Sequence, residues 1–151
     1  MRTGIGIDSH RFEAGRRLVL GGVEVPYELG LAGHSDADVL AHAIADALLG
    51  AAGLGDIGEH FPDVDEAWRD ANSIELLRMV VERVREAGYE LVHVDATVML
   101  EKPKLTEHRE AIRASLAAVL GSVNVKATTG EEMGFIGRGE GAAALAVATI
   151  A

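Results

Sequence analysis

The stretch His34-Ser35-Asp36-Ala37-Asp38-Val39-Leu40-Ala41-His42-Ala43-Ile44-Ala45-Asp46-Ala47-Leu48-Leu49-Gly50-Ala51-Ala52-Gly53 carries the reading on which the rest of the fold is built. Val39, Leu40, Ala43, Ile44, Ala47 and Leu48 recur at three- and four-residue steps, so the spacing predicts a helix with one apolar face, ending near Gly53. Ser35, with Asp38 three residues on, reads as a capping box at its start. Upstream, Thr3 to His10 reads as a short strand. Asp8 and His10 are two apart and face one side of that strand, while His34, Asp38, His42 and Asp46 fall at four-residue steps along one helical stripe. A carboxylate and imidazoles brought to one point by a strand and a helix predict a metal site. Two imidazoles and one carboxylate leave the fourth tetrahedral position of Zn²⁺ open, the pattern of a catalytic rather than a closed structural site.

Working outward, Arg17 to Leu20 reads as a second strand before Gly21-Gly22. Gly53 to Asp70 carries glycines, Pro62 and six acidic residues without a period, and reads as a loop. Asn72 or Ser73 caps a second helix with Leu76, Leu77, Val80, Val81 and Val84 inward and Gly88 as its stop. Tyr89 to Leu100 alternates like a strand, Pro103 interrupts it, and Thr106 to Leu120 reads as a third helix closed by Gly121. Val123 to Thr128 is a further strand, Gly130 to Gly141 is glycine-rich, and Ala142 to Ile150 reads as a last strand buried on both faces. The alternation predicts an α+β fold spanning 1–151 as a single domain, with one mixed sheet covered by helices on one face. The uncovered face calls for self-association, which places sites between subunits.

Composition narrows the function. The chain has 151 residues, 48% of them hydrophobic, enough for a core without staples. There are 14 basic and 24 acidic residues, a formal charge of −10 with the basic residues scattered, which argues against nucleic acid and anionic membrane as partners. An anionic ligand then requires concentrated positive potential from metal ions, helix amino termini and a few Lys or Arg residues. With no cysteine, any metal is held by nitrogen and oxygen. The amino terminus lacks an apolar signal core, and the run Ala142 to Ala151 is too short to span a bilayer, so the expectation is a soluble cytoplasmic protein.

The segments Gly6-Ile7-Asp8-Ser9-His10, His34-Ser35-Asp36-Ala37-Asp38, His42, Asp46 to Ala52, Leu54-Gly55-Asp56-Ile57-Gly58, Phe61-Pro62-Asp63, Pro103-Lys104, Val125 to Thr129 and Gly134 to Gly141 run in order through essentially the whole chain. Each is weak alone; as an ordered series they resemble the 2-C-methyl-D-erythritol 2,4-cyclodiphosphate synthase family. The resemblance implies a homotrimer whose sheets face the threefold axis and whose active sites lie between subunits. It also implies conversion of 4-diphosphocytidyl-2-C-methyl-D-erythritol 2-phosphate to the cyclodiphosphate and CMP, in non-mevalonate isoprenoid biosynthesis. That chemistry suits the residues: the attacking 2-phosphate is already ionised and CMP is a stable leaving group, so positioning and charge compensation are what remains to be supplied.

By resemblance, Asp8, His10 and His42 are the zinc ligands, and Ser9 belongs to the same substrate-binding segment. His34 is then no ligand but a catalytic phosphate contact beside Ser35, and Asp46 is a candidate acceptor for a ligand imidazole, while Asp38 is better explained by capping. Asp56, Ile57 and Gly58 match ribose and substrate contacts, and Phe61, Pro62, Asp63, Val64 and Asp65 match the loop that holds the methylerythritol unit. Leu100 to Thr106 correspond to the cytosine pocket, with Leu100, Pro103, Lys104, Leu105 and Thr106 as substrate contacts and Lys104 also within reach of a phosphate. Thr128, Thr129, Gly130 and Glu131 match the diphosphate site, where Thr129 stabilises the transferring phosphate and Glu131 ligates a bridging Mg²⁺ or Mn²⁺. Phe135, Arg138 and Glu140 match the end of an axial cavity that in the family can hold an isoprenoid diphosphate; pairing of Arg138 with Glu140 across the subunit boundary is the alternative. Gly130 and Val64 stand where the family more often has a polar residue and a threonine.

Overall fold

The computed structural model describes residues 1–62 and 71–151. In chain order the elements are β1 (Arg2–Ala14), β2 (Leu18–Leu20), β3 (Val23–Val25), β4 (Leu29–Leu31), α1 (Val39–Ala52), α2 (Ile57–His60), α3 (Ser73–Glu86), β5 (Leu91–Met99), α4 (Arg109–Leu120), β6 (Val123–Thr128), α5 (Gly134–Gly137) and β7 (Gly141–Ile150). Five strands form one mixed sheet in the order β4-β1-β7-β5-β6. β7 runs antiparallel to both β1 and β5, and β5 is parallel to β6, so β1, β5 and β6 end at the same edge.

The inner face of this sheet is built from very small residues. On β1 the buried positions are Gly4 and Gly6, and on β7 they include Ala142, Ala144, Ala146 and Ala148. α1 answers with Ala43, Ala47 and Ala51, four residues apart on one side of the helix. Helix backbone and strand backbone therefore nearly touch: a methyl group on Gly4 would lie 2.1 Å from the Ala47 carbonyl oxygen, and one on Gly6 1.8 Å from that of Ala43. The larger core side chains, among them Leu40, Ile44, Leu48, Leu77, Ile112 and Leu116, fill the space between α1, α3, α4 and the sheet.

Several expectations are corrected here. The sheet is not alone, because β2 and β3 make a separate two-stranded hairpin. β1 runs past His10 to Ala14, where its far end pairs with β4. α1 begins only at Val39, so the four-residue stripe of His34, Asp38, His42 and Asp46 is helical only from its cap onward. Asp38 itself is that cap, its carboxylate accepting from the Ala41 amide, in place of the predicted capping box at Ser35. α4 starts at Arg109 rather than Thr106, and the loop reading of 53–70 misses the single turn α2. β7 is not buried on both faces: Leu145 and Val147 are 36% and 37% exposed, and they lie in register with Ile7 and Ile5, which are 64% and 61% exposed. One face of the sheet is thus covered by helices, and the other carries an open apolar stripe.

The contact between α1 and β1 tolerates no added atom. Gly6→Ala is expected to cost about 3 kcal/mol or to prevent folding. Gly15→Ala, at a turn with φ +81 and nothing within 4 Å, should cost only about 1 kcal/mol, from backbone strain. Urea unfolding of the two variants measures the difference.

Candidate metal centre and adjoining cavities

With α1 seated on the glycines of β1, the next two inward positions of the strand, Asp8 and His10, arrive under the first turn and a half of the helix, where His42 points down. Asp8 Oδ2 lies 2.9 Å from His10 Nε2 and 3.3 Å from His42 Nδ1. Among the described residues, these three form the group whose donor atoms all lie within 4.8 Å of one another. His10 Nδ1 sits 2.8 Å from the Ala32 carbonyl oxygen. A carbonyl only accepts, so Nδ1 carries a proton, and Nε2 is the ring atom left to face Asp8 and His42, the one that can ligate a cation. One carboxylate and two imidazoles, one with its tautomer set by the backbone, fit a divalent cation such as zinc with one position left for a ligand.

Electrostatics binds the trio together before any cation does. Burial favours the neutral form of Asp8, but hydrogen bonds and attraction from His10 and His42 outweigh it and hold the carboxyl below its ordinary range. Burial likewise opposes the imidazolium of His42, yet Asp8, with Asp38 and Asp36 behind it, raises its pKa above the usual histidine value.

The trio opens onto a cavity of about 430 Å³ lined also by His34, Ser35, Ile57, Gly58 and Phe61, with Leu76, Leu77 and Val80 of α3 forming its apolar wall. His34 Nε2 is buried there without a hydrogen-bond partner among the described residues, which marks a polar atom left over for a ligand. Ser35 Oγ is 3.4 Å from His42 Nε2. Ser9 faces away from this cavity, on the exposed side of β1. Asp56 caps α2 by accepting from the Glu59 amide. Pro62 follows Phe61 at the end of the described segment, and Asp63, Val64 and Asp65 lie outside the described residues.

A second cavity, of about 140 Å³, gathers Leu100, Pro103, Lys104, Leu105, Thr106, Thr128 and Thr129 at the ends of β5 and β6. Its rim is pinned by Glu101, which lies within the expected Leu100–Thr106 stretch without a role of its own there: Glu101 Oε1 accepts from the Gly130 amide at 3.0 Å, continuing the β5–β6 ladder with a side chain. Thr129 Oγ accepts from the Glu131 amide. Glu131 is exposed and does not belong to the Asp8 group. Phe135 is 46% exposed, and Arg138 pairs with Glu140 of its own chain at 2.7 Å.

Asp46 does not serve a ligand imidazole. Its Oδ1 accepts from the Ile57 amide at 2.8 Å and so ties α2 to α1. The acceptor that the motif left unnamed is the Ala32 carbonyl, invisible to a reading of side chains.

The pKa directions define a pH window. The lowered Asp8 value contributes stability above 3.8 that is lost as pH falls through its folded value; the raised His42 value contributes below 6.5 and is lost as pH rises through its folded value. In chelator, Asp8→Asn should therefore lower the melting temperature more at about pH 5.5 than at about pH 8. Zinc competes with the His42 proton, so its stabilisation of the wild type should be larger at the higher pH. Calorimetry across pH, with and without zinc, checks both.

The sequence profile of the YgbB family matches residues 1–151. The 2-C-methyl-D-erythritol 2,4-cyclodiphosphate synthase of Salinibacter ruber is 60% identical, over 99% of this chain and 98% of its own. A solved structure of a 2C-methyl-D-erythritol-2,4-cyclodiphosphate synthase in its CDP-bound form matches with a TM-score of 0.91 and 38% identity, over 99% of this chain and all of that one. The bifunctional IspDF of Campylobacter jejuni matches at TM-score 0.94 and 48% identity, where this chain covers 99% of its own length but only 42% of the larger protein. Profile, full-length identity and backbone agree: the chain belongs to the YgbB family, together with full-length relatives that are 2-C-methyl-D-erythritol 2,4-cyclodiphosphate synthases.

Proposed function

We propose that the chain carries out the ring closure for which its relatives are named, converting 4-diphosphocytidyl-2-C-methyl-D-erythritol 2-phosphate to 2-C-methyl-D-erythritol 2,4-cyclodiphosphate and CMP. The observation that carries this reading is the Asp8, His10 and His42 donor set facing a cavity into which His34 presents an unpartnered nitrogen. An oxygen of the 2-phosphate forms the new bond to the β-phosphorus, the bond from that phosphorus to the α,β-bridging oxygen breaks, and its electron pair leaves on CMP. No proton has to move at pH 7, so the protein contributes orientation and charge compensation.

Asp8, His10 and His42 would hold zinc, which supplies Lewis acidity toward a phosphate oxygen when bound. His34 and Ser35 hold the phosphates from the loop before α1, with His34 Nε2 donating to a phosphate oxygen. Ile57, Gly58 and Phe61 form the wall for the methylerythritol unit; Asp56 and, outside the described residues, Asp63, Val64 and Asp65 are assigned to the sugar by the family resemblance alone. Leu100, Pro103, Leu105 and Thr106 enclose the cytosine, supported by the CDP bound to the related structure. Lys104, Thr128 and Thr129 of the second cavity grip the diphosphate, together with Gly130 and Glu131 that follow them in the chain, Glu131 being suited to Mg²⁺ or Mn²⁺.

The two cavities are separate in one chain, and the open stripe of Ile5, Ile7, Leu145 and Val147 needs cover. A homotrimer with the sheets around a threefold axis satisfies both, setting the second cavity of one subunit against the first of the next. Phe135 and Arg138 then stand at the end of the axis, where an isoprenoid diphosphate finds an apolar side chain and a cation. None of the described helices is long and apolar enough to cross a membrane.

Phosphorus NMR of the reaction should show the cyclic diphosphate and CMP, with turnover lost in chelator; a free diphosphate product would mean hydrolysis instead. His42→Ala should bind no zinc and release no CMP, and His34→Ala should lower kcat about 100-fold while zinc stays bound. Sedimentation should give the mass of three chains for the wild type and of one for Leu145→Glu, which should also be inactive.

A further inference from the structure

α2 has four residues and buries none of its side chains fully; Ile57 packs partly against the core, and hydrogen bonds from neighbouring helices fix its ends. Asp46 holds its first amide from α1. The other end is held from α3. Arg83 donates to His60 Nδ1 at 2.5 Å, and His60 Nε2 donates to the Leu54 carbonyl at 2.7 Å. Guanidinium has only donors and a carbonyl only accepts, so the imidazole is held as the neutral Nε2–H tautomer and the chain of donors runs one way, Arg83 to His60 to Leu54. The same guanidinium lies over the ring of Phe61, 4.8 Å from its centroid. One planar group thus serves two consecutive residues, its edge donating while its face stacks, a geometry an ammonium lacks.

Arg83 lies one turn beyond Val80, which with Leu76 and Leu77 forms the apolar wall of the large cavity, while Ile57, Gly58 and Phe61 form the wall opposite. We propose that Arg83 is a positioning residue: through His60 and Phe61 it sets the distance of the Ile57–Phe61 wall from Asp8 and His42, and so the affinity for the sugar part of the substrate. It touches no reacting atom. The inference rests on the functional reading above for the identity of the substrate, and on the geometry alone for the clamp.

The test uses the full chain with zinc loaded and compares wild type, Arg83→Met, Arg83→Lys and, as a control on the exposed side of α3, Arg78→Ala. Methionine keeps the packing stem without a donor; lysine keeps the charge and N–H donors without the planar fork. Zinc stoichiometry identifies the folded variants. KM for the cytidine substrate should rise about tenfold in Arg83→Met and about threefold in Arg83→Lys, with kcat changed less than about twofold and Arg78→Ala unaffected. Loss of folded protein alone would instead lower apparent kcat and zinc content at constant KM. Amide exchange gives a reading independent of turnover: Ile57, Glu59 and Phe61, whose N–H groups are all hydrogen-bonded, should exchange about tenfold faster in the Arg83 variants. Unchanged exchange and KM in whichever Arg83 variant folds overturns the inference. A wild type that releases no CMP overturns the functional reading instead, leaving exchange to decide the clamp.

Discussion

The near-contact of two backbones, α1 against β1 at Gly4 and Gly6, is the constraint on which the rest of the molecule depends. It is a packing contact without side chains on the strand, and its energy comes from dispersion and from apolar area removed from water over the full length of the helix. Its consequence is geometric. With no spacer between helix and sheet, His42 on α1 reaches the plane in which Asp8 and His10 stand, and donors from elements far apart in sequence converge within 4.8 Å. A larger residue at either glycine would lift the helix and separate the ligands. The stable core and the candidate site are one construction, in which the small residues lead directly to the chemistry.

Around that contact, carboxylates act as internal fasteners. Asp38, fully buried, accepts from the amides of Gly21, Gly22 and Ala41 and from the Ser73 hydroxyl, so one side chain joins the β2–β3 turn, the start of α1 and the start of α3. Burial raises its pKa in spite of these donors. Asp36 accepts from the amides of Asp38 and Ser73 beside it. The two fix the base of the His34–Ser35 loop, and their charge reaches His42. Part of the chain's acidic excess therefore does structural work beside the candidate site; under the proposed function, cations held by Asp8, His10 and His42 would supply the opposing potential for an anionic substrate.

One chain holds two partial cavities and an open apolar sheet face, a combination that has a single physical cause. Helices cover one face of the sheet, while β1 and β7 present Ile5, Ile7, Leu145 and Val147 on the other. The parallel orientation of β1, β5 and β6 sends the metal donors and the Thr128–Thr129 turn to the same edge without joining them. Assembly through the apolar face, as proposed above, would resolve both features.

Local pattern was enough for α1, α3 and β6, because their periods, the helix stops at Gly53 and Gly88 and the break before Val123 depend on residues a few positions apart. Asp8, His10 and His42 were legible too, from donor chemistry and ordered motifs. The small-residue signal of Gly4 and Gly6 against Ala43, Ala47 and Ala51 was present in the sequence and became meaningful only once strand and helix were seen to touch. Tertiary structure alone decided that Asp46 holds the Ile57 amide, that Ala32 fixes the His10 tautomer, that Glu101 pins Gly130 and that Arg83 braces His60 and Phe61. Each of these is a directional bond between groups 11 to 29 residues apart. A side chain's partner across such a span is set by how the elements stack, whereas its tendency to lie in a helix or a strand is set by its immediate neighbours.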